Sequence, residues 1–348
     1  MKHSVPLLVA TAASLAAASP ATRQTTGLNA IAQAAGLTYF GSATDNHEIT
    51  DADYLAILSD SSEFGQITPG NSMKWDATEP TQGTFTFDNA DAIVELAQAN
   101  GQLLRGHTCV WYSQLPSWVS SGTWDADSLN EAMTTHCSTV VGHYAGQICA
   151  YSWDVVNEAF NEDGTFRENV FYTTIGEDYI ANAFTAARAA DPDAKLYIND
   201  YNVEGTGAKA DGLYTLVSSL LSAGVPVDGI GMQAHLIVGS VPTTIQENIE
   251  RFAALGLEVA LTELDIRMPV SDSDVGSDAD VAQQQADYET VVGACVAVDG
   301  CVGVTIWDYT DRYSWVPSVF SGYGAALPWD DDLQKKQAYD GIVSGLSA

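Results

Sequence analysis

Trp153-Asp154-Val155-Val156-Asn157-Glu158 is the stretch on which the fold turns, together with its counterpart Leu261-Thr262-Glu263-Leu264-Asp265. Each is a short, strand-like apolar run that delivers a glutamate at its end. A run of this kind followed by helical periodicity reads as one βα unit. The same pattern recurs on both sides. Candidate strands lie at 39–43, 66–69, 103–108, 151–156, 195–199, 229–233, 258–263 and 303–308. Stretches with apolar residues three and four apart follow at 90–100, 129–143, 179–190, 208–223, 244–255 and 282–296. Some stop at glycine, as Ala223-Gly224 and Leu255-Gly256 do. Eight such units at roughly 40 residues each predict an α/β fold, a single-domain (β/α)8 TIM barrel over residues 25–348. A doubly wound open sheet is the runner-up. It calls for a Gly-rich phosphate loop early in the chain, and Gly229-Ile230-Gly231 lacks the rest of that fingerprint.

The N-terminus reads differently. Lys2 and His3 precede an apolar run at 5–18, small residues follow at 16–19, and Pro20 comes next. This predicts a secretory signal peptide over residues 1–19, too short for a membrane span. A buried N-terminal helix is the alternative. No later run is apolar enough to cross a bilayer, and no linker or appended carbohydrate-binding module is expected. The chain has 348 residues, 46% of them hydrophobic, which is enough for one large core. Its net charge of −32 repels phosphate backbones and anionic lipid. That argues against nucleic acid or a membrane as partner and suits a secreted, extracellular protein with a neutral substrate. Of the five cysteines, Cys295 and Cys301 close a short loop and are the expected disulfide. Cys109, Cys137 and Cys149 stay unassigned. No Asn-x-Ser/Thr sequon occurs.

In a barrel the chemistry sits at the C-terminal ends of the strands. The polar and aromatic residues expected there are Asn71, Lys74, His107, Trp111, Asn157, Glu158, Gln233, His235, Glu263, Asp265, Trp307 and Trp315. One strand-end glutamate is as readily a helix cap, and one tryptophan is more often core. A dozen such residues from six strand ends point instead to a site. Two carboxyls in different states suffice to cut a glycosidic bond: one ionised for attack, one holding a proton for the leaving oxygen. Glu263 and Asp265 share a face of their strand, as do Gln233 and His235. His235 is therefore expected to bridge Glu263 and Asp265 and keep Glu263 anionic, whose charge in turn favours the proton on Glu158. The tryptophans offer flat faces for sugar rings. Read as metal ligands, His235, Glu263 and Asp265 are a further option. The acidic run 272–280 misplaces its glycine for a calcium loop, and no metal or cofactor is expected.

At these residues the chain resembles glycoside hydrolase family 10 endo-1,4-β-xylanases of the secreted fungal type. The resemblance rests on Asn71-Ser72-Met73-Lys74-Trp75 with Glu79-Pro80, Arg105-Gly106-His107-Thr108, Ser113 to Trp118, Trp153 to Glu158, Asn199-Asp200-Tyr201-Asn202, Gln233-Ala234-His235-Leu236, Thr262 to Asp265, and Trp307 with Trp315. It implies a retaining double displacement on xylan through a covalent glycosyl-enzyme, with Glu158 as acid/base and Glu263 as nucleophile. It implies that Lys74, His107, Asn157, Gln233, Trp307 and Trp315 surround the cleaved sugar, and that His235 and Asp265 form a triad with Glu263. Retention implies carboxyls about 5–5.5 Å apart. Two residues depart from the family's pattern: Gly70 stands where members usually carry Glu, and Tyr112 where they often carry His. The competing readings are another retaining barrel β-glycanase, a cellulase or mannanase, and a non-catalytic polysaccharide-binding barrel. A monomer acting on xylan and xylo-oligosaccharides is the expected state.

Overall fold

The computed structural model describes Met1 and residues 27–147, 150–270 and 276–348. The remainder of the expected signal peptide, Cys149 and residues 272–275 of the acidic run lie outside the described residues.

Eight parallel strands form a closed barrel. They are β1 (Tyr39–Thr44), β2 (Gln66–Pro69), β3 (Leu103–Val110), β4 (Ala150–Asn157), β5 (Lys195–Asp200), β6 (Gly229–Met232), β7 (Glu258–Pro269) and β8 (Cys301–Ile306). Each pairs with the next in sequence, and β8 pairs back onto β1, at Tyr39↔Gly303, to close the ring. The strands are buried along nearly their whole length. Helices cover the outside and side chains fill the inside, so both faces are apolar or paired. Bulky inward side chains need bare backbone opposite. A Cβ on Gly303 would lie 2.4 Å from the Tyr39 ring, so glycine there is what admits the tyrosine.

The expected elements fall on observed ones, with shifted ends. The helix foreseen at 90–100 is Asp88–Asn100, and Gly101 ends it in the left-handed conformation at φ 68°. The one foreseen at 129–143 is Ala126–His143, capped by Asp125 and Ser128 in a capping box. Ser277 caps Asp278–Val296. Sequence periodicity does not reveal the shorter helices Leu28–Ala34, Ala52–Leu58 and Val170–Ile175, whose two turns or fewer give it too little to repeat.

Two strand ends differ from expectation in ways that matter. β6 stops at Met232, and His235–Ile237 is a separate short strand that pairs with β7 at His235↔Asp265. Gln233 and His235 are thus not neighbours on one strand face. Between them Ala234 adopts φ 63°, which turns the chain. β8 ends at Ile306, so Trp307 and Asp308 belong to the loop beyond it.

The described residues hold two disulfides, Cys109–Cys137 and Cys295–Cys301. The first ties β3 to the helix packed over it, a pairing invisible to spacing because 27 residues intervene. Among the described residues no helix is long and apolar enough to cross a membrane.

Candidate active site

The C-terminal ends of the strands surround one cleft of about 790 Å³. Asn71, Lys74, His107, Trp111, Asn157, Glu158, Gln233, His235, Glu263, Trp307 and Trp315 all line it. Asp265 lies beneath, fully buried. The twelve residues expected from sequence are therefore brought together from six strand ends.

The two glutamates occupy different surroundings. Glu263 accepts from Asn199 Nδ2 at 2.7 Å and from His235 Nε2 at 3.2 Å. The other ring nitrogen of His235 donates to Asp265 Oδ2 at 2.8 Å, and Trp315 Nε1 donates to the same oxygen at 2.8 Å. Burial opposes a charge on His235, but the carboxylates of Asp265 and Glu263 outweigh it and push its pKa up to about 10. Burial alone would raise the Glu263 carboxyl. The hydrogen bond from His235 and the charges of His107 and His235 win, and hold Glu263 below the ordinary carboxylate value.

Glu158 meets amides instead. Gln233 Nε2 donates to its Oε1 at 3.2 Å and Asn157 Nδ2 approaches the same oxygen at 3.4 Å. The two sides are linked, because Asn199 Nδ2 also donates to Asn157 Oδ1 at 2.9 Å. One line of amides thus runs from Glu263 through Asn199 and Asn157 to Gln233 and Glu158. Asn199 was not among the expected site residues. Its signal was available: in adjacent parallel strands it stands in register with Asn157. The approach is close, since a Cβ on Gly231 would sit 2.1 Å from Asn199 Oδ1.

The backbone aims these groups. Glu158 itself is left-handed at φ 58°, with its N–H bonded to Asn199 O at 2.8 Å. Gln114 and Asn202 on the cleft wall are left-handed too, as are Ala234 and Asp308 beside it. Such residues cost about 1–3 kcal/mol each and gather where surrounding structure enforces them, often at sites of chemistry.

A second layer orders the opposite wall. Lys74 Nζ donates to Asn71 Oδ1 at 3.0 Å and Gln114 Oε1 at 2.7 Å, and lies 4.8 Å from the Trp111 ring. Burial lowers its pKa against the pull of Glu263 and Asp45. His107 Nδ1 donates to Asp154 at 2.9 Å, and Asp154 also takes the Arg105 guanidinium. Arg105 and His107 together overcome burial and keep the Asp154 carboxyl low. The His107 ring meets the edge of Trp307 at 5.3 Å. Of the two departures, Gly70 lines the cleft with open space above it, since a Cβ would find only Thr44 O at 3.6 Å and Asp45 Oδ2 at 3.7 Å. Tyr112 lies under Arg167 at 4.4 Å, and burial and the Glu158 carboxylate push its phenol up to about 12.

The family sequence model described as "Glycosyl hydrolase family 10" matches residues 27–345. The chain belongs to glycosyl hydrolase family 10. Its relatives in the family include an endo-1,4-beta-xylanase of Agaricus bisporus, 61% identical over 322 residues, spanning 92% of this chain and 94% of that one. Endo-1,4-beta-xylanase A of Phanerodontia chrysosporium is 58% identical over 94% of this chain and 78% of its own length. Among solved family structures, the xylanase from Bispora sp. MEY-1 with xylobiose superposes with a TM-score of 0.88 at 38% identity, covering 92% of this chain and 100% of that one. The glycosylated enzyme from Gloeophyllum trabeum gives 0.86 at 42% identity, over 92% and 99%.

Proposed function

We propose that this protein is a retaining endo-1,4-β-xylanase that cuts internal bonds of xylan by double displacement. The observation that carries the chemistry is the asymmetry between the two glutamates. Glu263, held ionised by His235, attacks the anomeric carbon. Glu158 gives its proton to the departing glycosidic oxygen, so the bond breaks as a covalent glycosyl–Glu263 ester forms. Glu158, now a carboxylate, takes a proton from water, whose oxygen attacks the same carbon and releases Glu263. Two inversions leave the anomeric configuration unchanged.

The remaining residues bind and orient. Asn157 and Lys74 bond sugar hydroxyls, while Trp307, Trp315 and Trp111 supply stacking faces. His107, fixed by Asp154, presents its second ring nitrogen to the sugar side. The relatives' activity on xylan supports the substrate over cellulose or mannan. We read residues 1–19 as a secretory signal and the enzyme as an extracellular monomer; the two disulfides fit an oxidising compartment.

Time-resolved anomeric NMR of xylan hydrolysis tests the whole reading. Early β-configured xylo-oligosaccharides of mixed length are expected. Early α-products would refute retention, release of xylose alone would refute endo action, and faster cleavage of cellulose or mannan would refute the substrate.

A further inference from the structure

Behind the cleft wall, two carboxyls converge on one phenol. The Tyr54 hydroxyl lies 3.2 Å from Glu48 Oε2, 3.2 Å from Asp308 Oδ1 and 3.0 Å from Thr44 Oγ1. It has one proton to give to three acceptors. Asp308 is buried and Glu48 half-buried. The titratable groups that face the pair are Asp45 from the end of β1, Tyr54 from helix Ala52–Leu58, and Tyr309 from the loop after β8: an acid and two phenols. Arg312, farther out, is taken by Asp51 at 2.7 Å. Like charges on one phenol, with no basic side chain paired to either among the described residues, cannot both be ionised cheaply. Burial and mutual repulsion raise both carboxyls, Asp308 the more strongly.

The pair touches the substrate wall on two sides. Glu48 Oε2 accepts the backbone N–H of Asp45, and Asp45 in turn accepts from Asn71 Nδ2. Asn71 then accepts from Lys74. On the other side, Asp308 follows Trp307 directly and holds a left-handed backbone at φ 70°. Its Oδ1 accepts the N–H of Tyr309 at 2.9 Å, which sets that turn. Asn71 and Trp307 both line the cleft.

We propose that Glu48 and Asp308 share one proton beside Tyr54 and act as positioning residues, holding Asn71 and Trp307 against the sugar. When that proton leaves, the two carboxylates push apart, and substrate binding weakens while the chemical step does not. Neither residue touches the reacting atoms. The kinetic part rests on the proposed xylanase activity.

The test compares wild type with Asp308→Asn and Glu48→Gln, near-isosteric changes that each leave a single carboxyl, so that no second negative charge can form. KM and kcat for xylan are measured from acid to alkaline pH, with thermal midpoints over the same range. In wild type KM should rise with pH beyond any fall in kcat, and both amides should flatten that rise. A wild-type KM independent of pH, or variant KM profiles that follow the wild type, would overturn the proposal. The stability arm does not need activity. A carboxyl raised in the folded state gives support that is full below its unfolded pKa and is lost as pH rises from there through its folded pKa. The wild-type midpoint should therefore fall more steeply as pH rises above the ordinary carboxylate range than either variant's. Coincident curves would overturn the proposal even if xylan proves not to be the substrate.

Discussion

At the residue scale, the proposed chemistry depends on two carboxyls made unequal by their neighbours. Glu263→Ala should abolish turnover on every substrate. Glu158→Ala should slow xylan hydrolysis by about 10²–10⁴-fold yet leave aryl xylosides with good leaving groups cleaved rapidly to the covalent intermediate. Steady-state and burst kinetics on both substrate types check this. Equal losses on both would remove Glu158 from the proton-donor role. His235→Gln removes a cation and a hydrogen bond from Glu263. The Glu263 carboxyl then moves up, and the acid limb of kcat/KM should move to higher pH. An unmoved acid limb would mean that His235 does not set the state of Glu263. The twelve residues that line or underlie the cleft could be named from the sequence, because they fall in the C-terminal halves of the expected strands or in the loops that follow them. Asn199 stands in one of the phrases that carry the resemblance, but its place between the glutamates shows only in the strand register, and the Glu48–Asp308 pair, 260 positions apart, was not legible at all.

At the scale of elements, the loop after β6 carries the greatest burden. Ala234 at φ 63° sends Gln233 toward Glu158 and His235 toward Glu263. Its N–H donates to the buried Glu204 carboxylate at 2.7 Å, which holds the turn. A β-branched side chain tolerates this backbone poorly. Ala234→Val should cost about 1–3 kcal/mol of stability, with a disproportionate loss of kcat because both partners of the glutamates move. Urea unfolding and xylan kinetics on the same preparation check this, and an active, fully stable Val variant would contradict it. Alternation along a strand placed Gln233 and His235 on a common face. The turn that separates them has no marker in sequence, since the residue is neither Gly nor Asn. The disulfides make the same point. On loop-closure entropy, opening Cys109–Cys137, 28 positions apart, should cost about 3.5 kcal/mol, against about 2 kcal/mol for Cys295–Cys301 at 6 positions. Denaturant midpoints of the two paired Cys→Ser variants would test the order. The short pairing was evident from spacing. The long one needed the helix to fold back over β3.

At the scale of the whole molecule, charge and pH set working limits. His235 has its pKa raised to about 10 from 6.5, so the stability it contributes is full below about 6.5 and is lost as pH rises toward about 10. Glu263 is held low, so its share is present above 4.5 and is lost as pH falls. The triad supports the fold most fully from about 4.5 to about 6.5. Thermal midpoints should decline above that window, and less so in His235→Gln; a parallel decline in both proteins would assign the loss to other groups.

Sequence by itself determined the barrel, the pair of glutamates and the aromatic and polar rim. Periodicity and strand-end position are local properties, and eight βα units that must bury their apolar faces have few ways to close. Only the tertiary structure decided which nitrogen meets which oxygen, that Asn199 joins the two glutamates, that β6 breaks at Ala234, and that Cys109 meets Cys137. Those contacts join residues far apart along the chain, and hydrogen bonds and ion pairs of a few ångströms are set by packing, which no local pattern encodes.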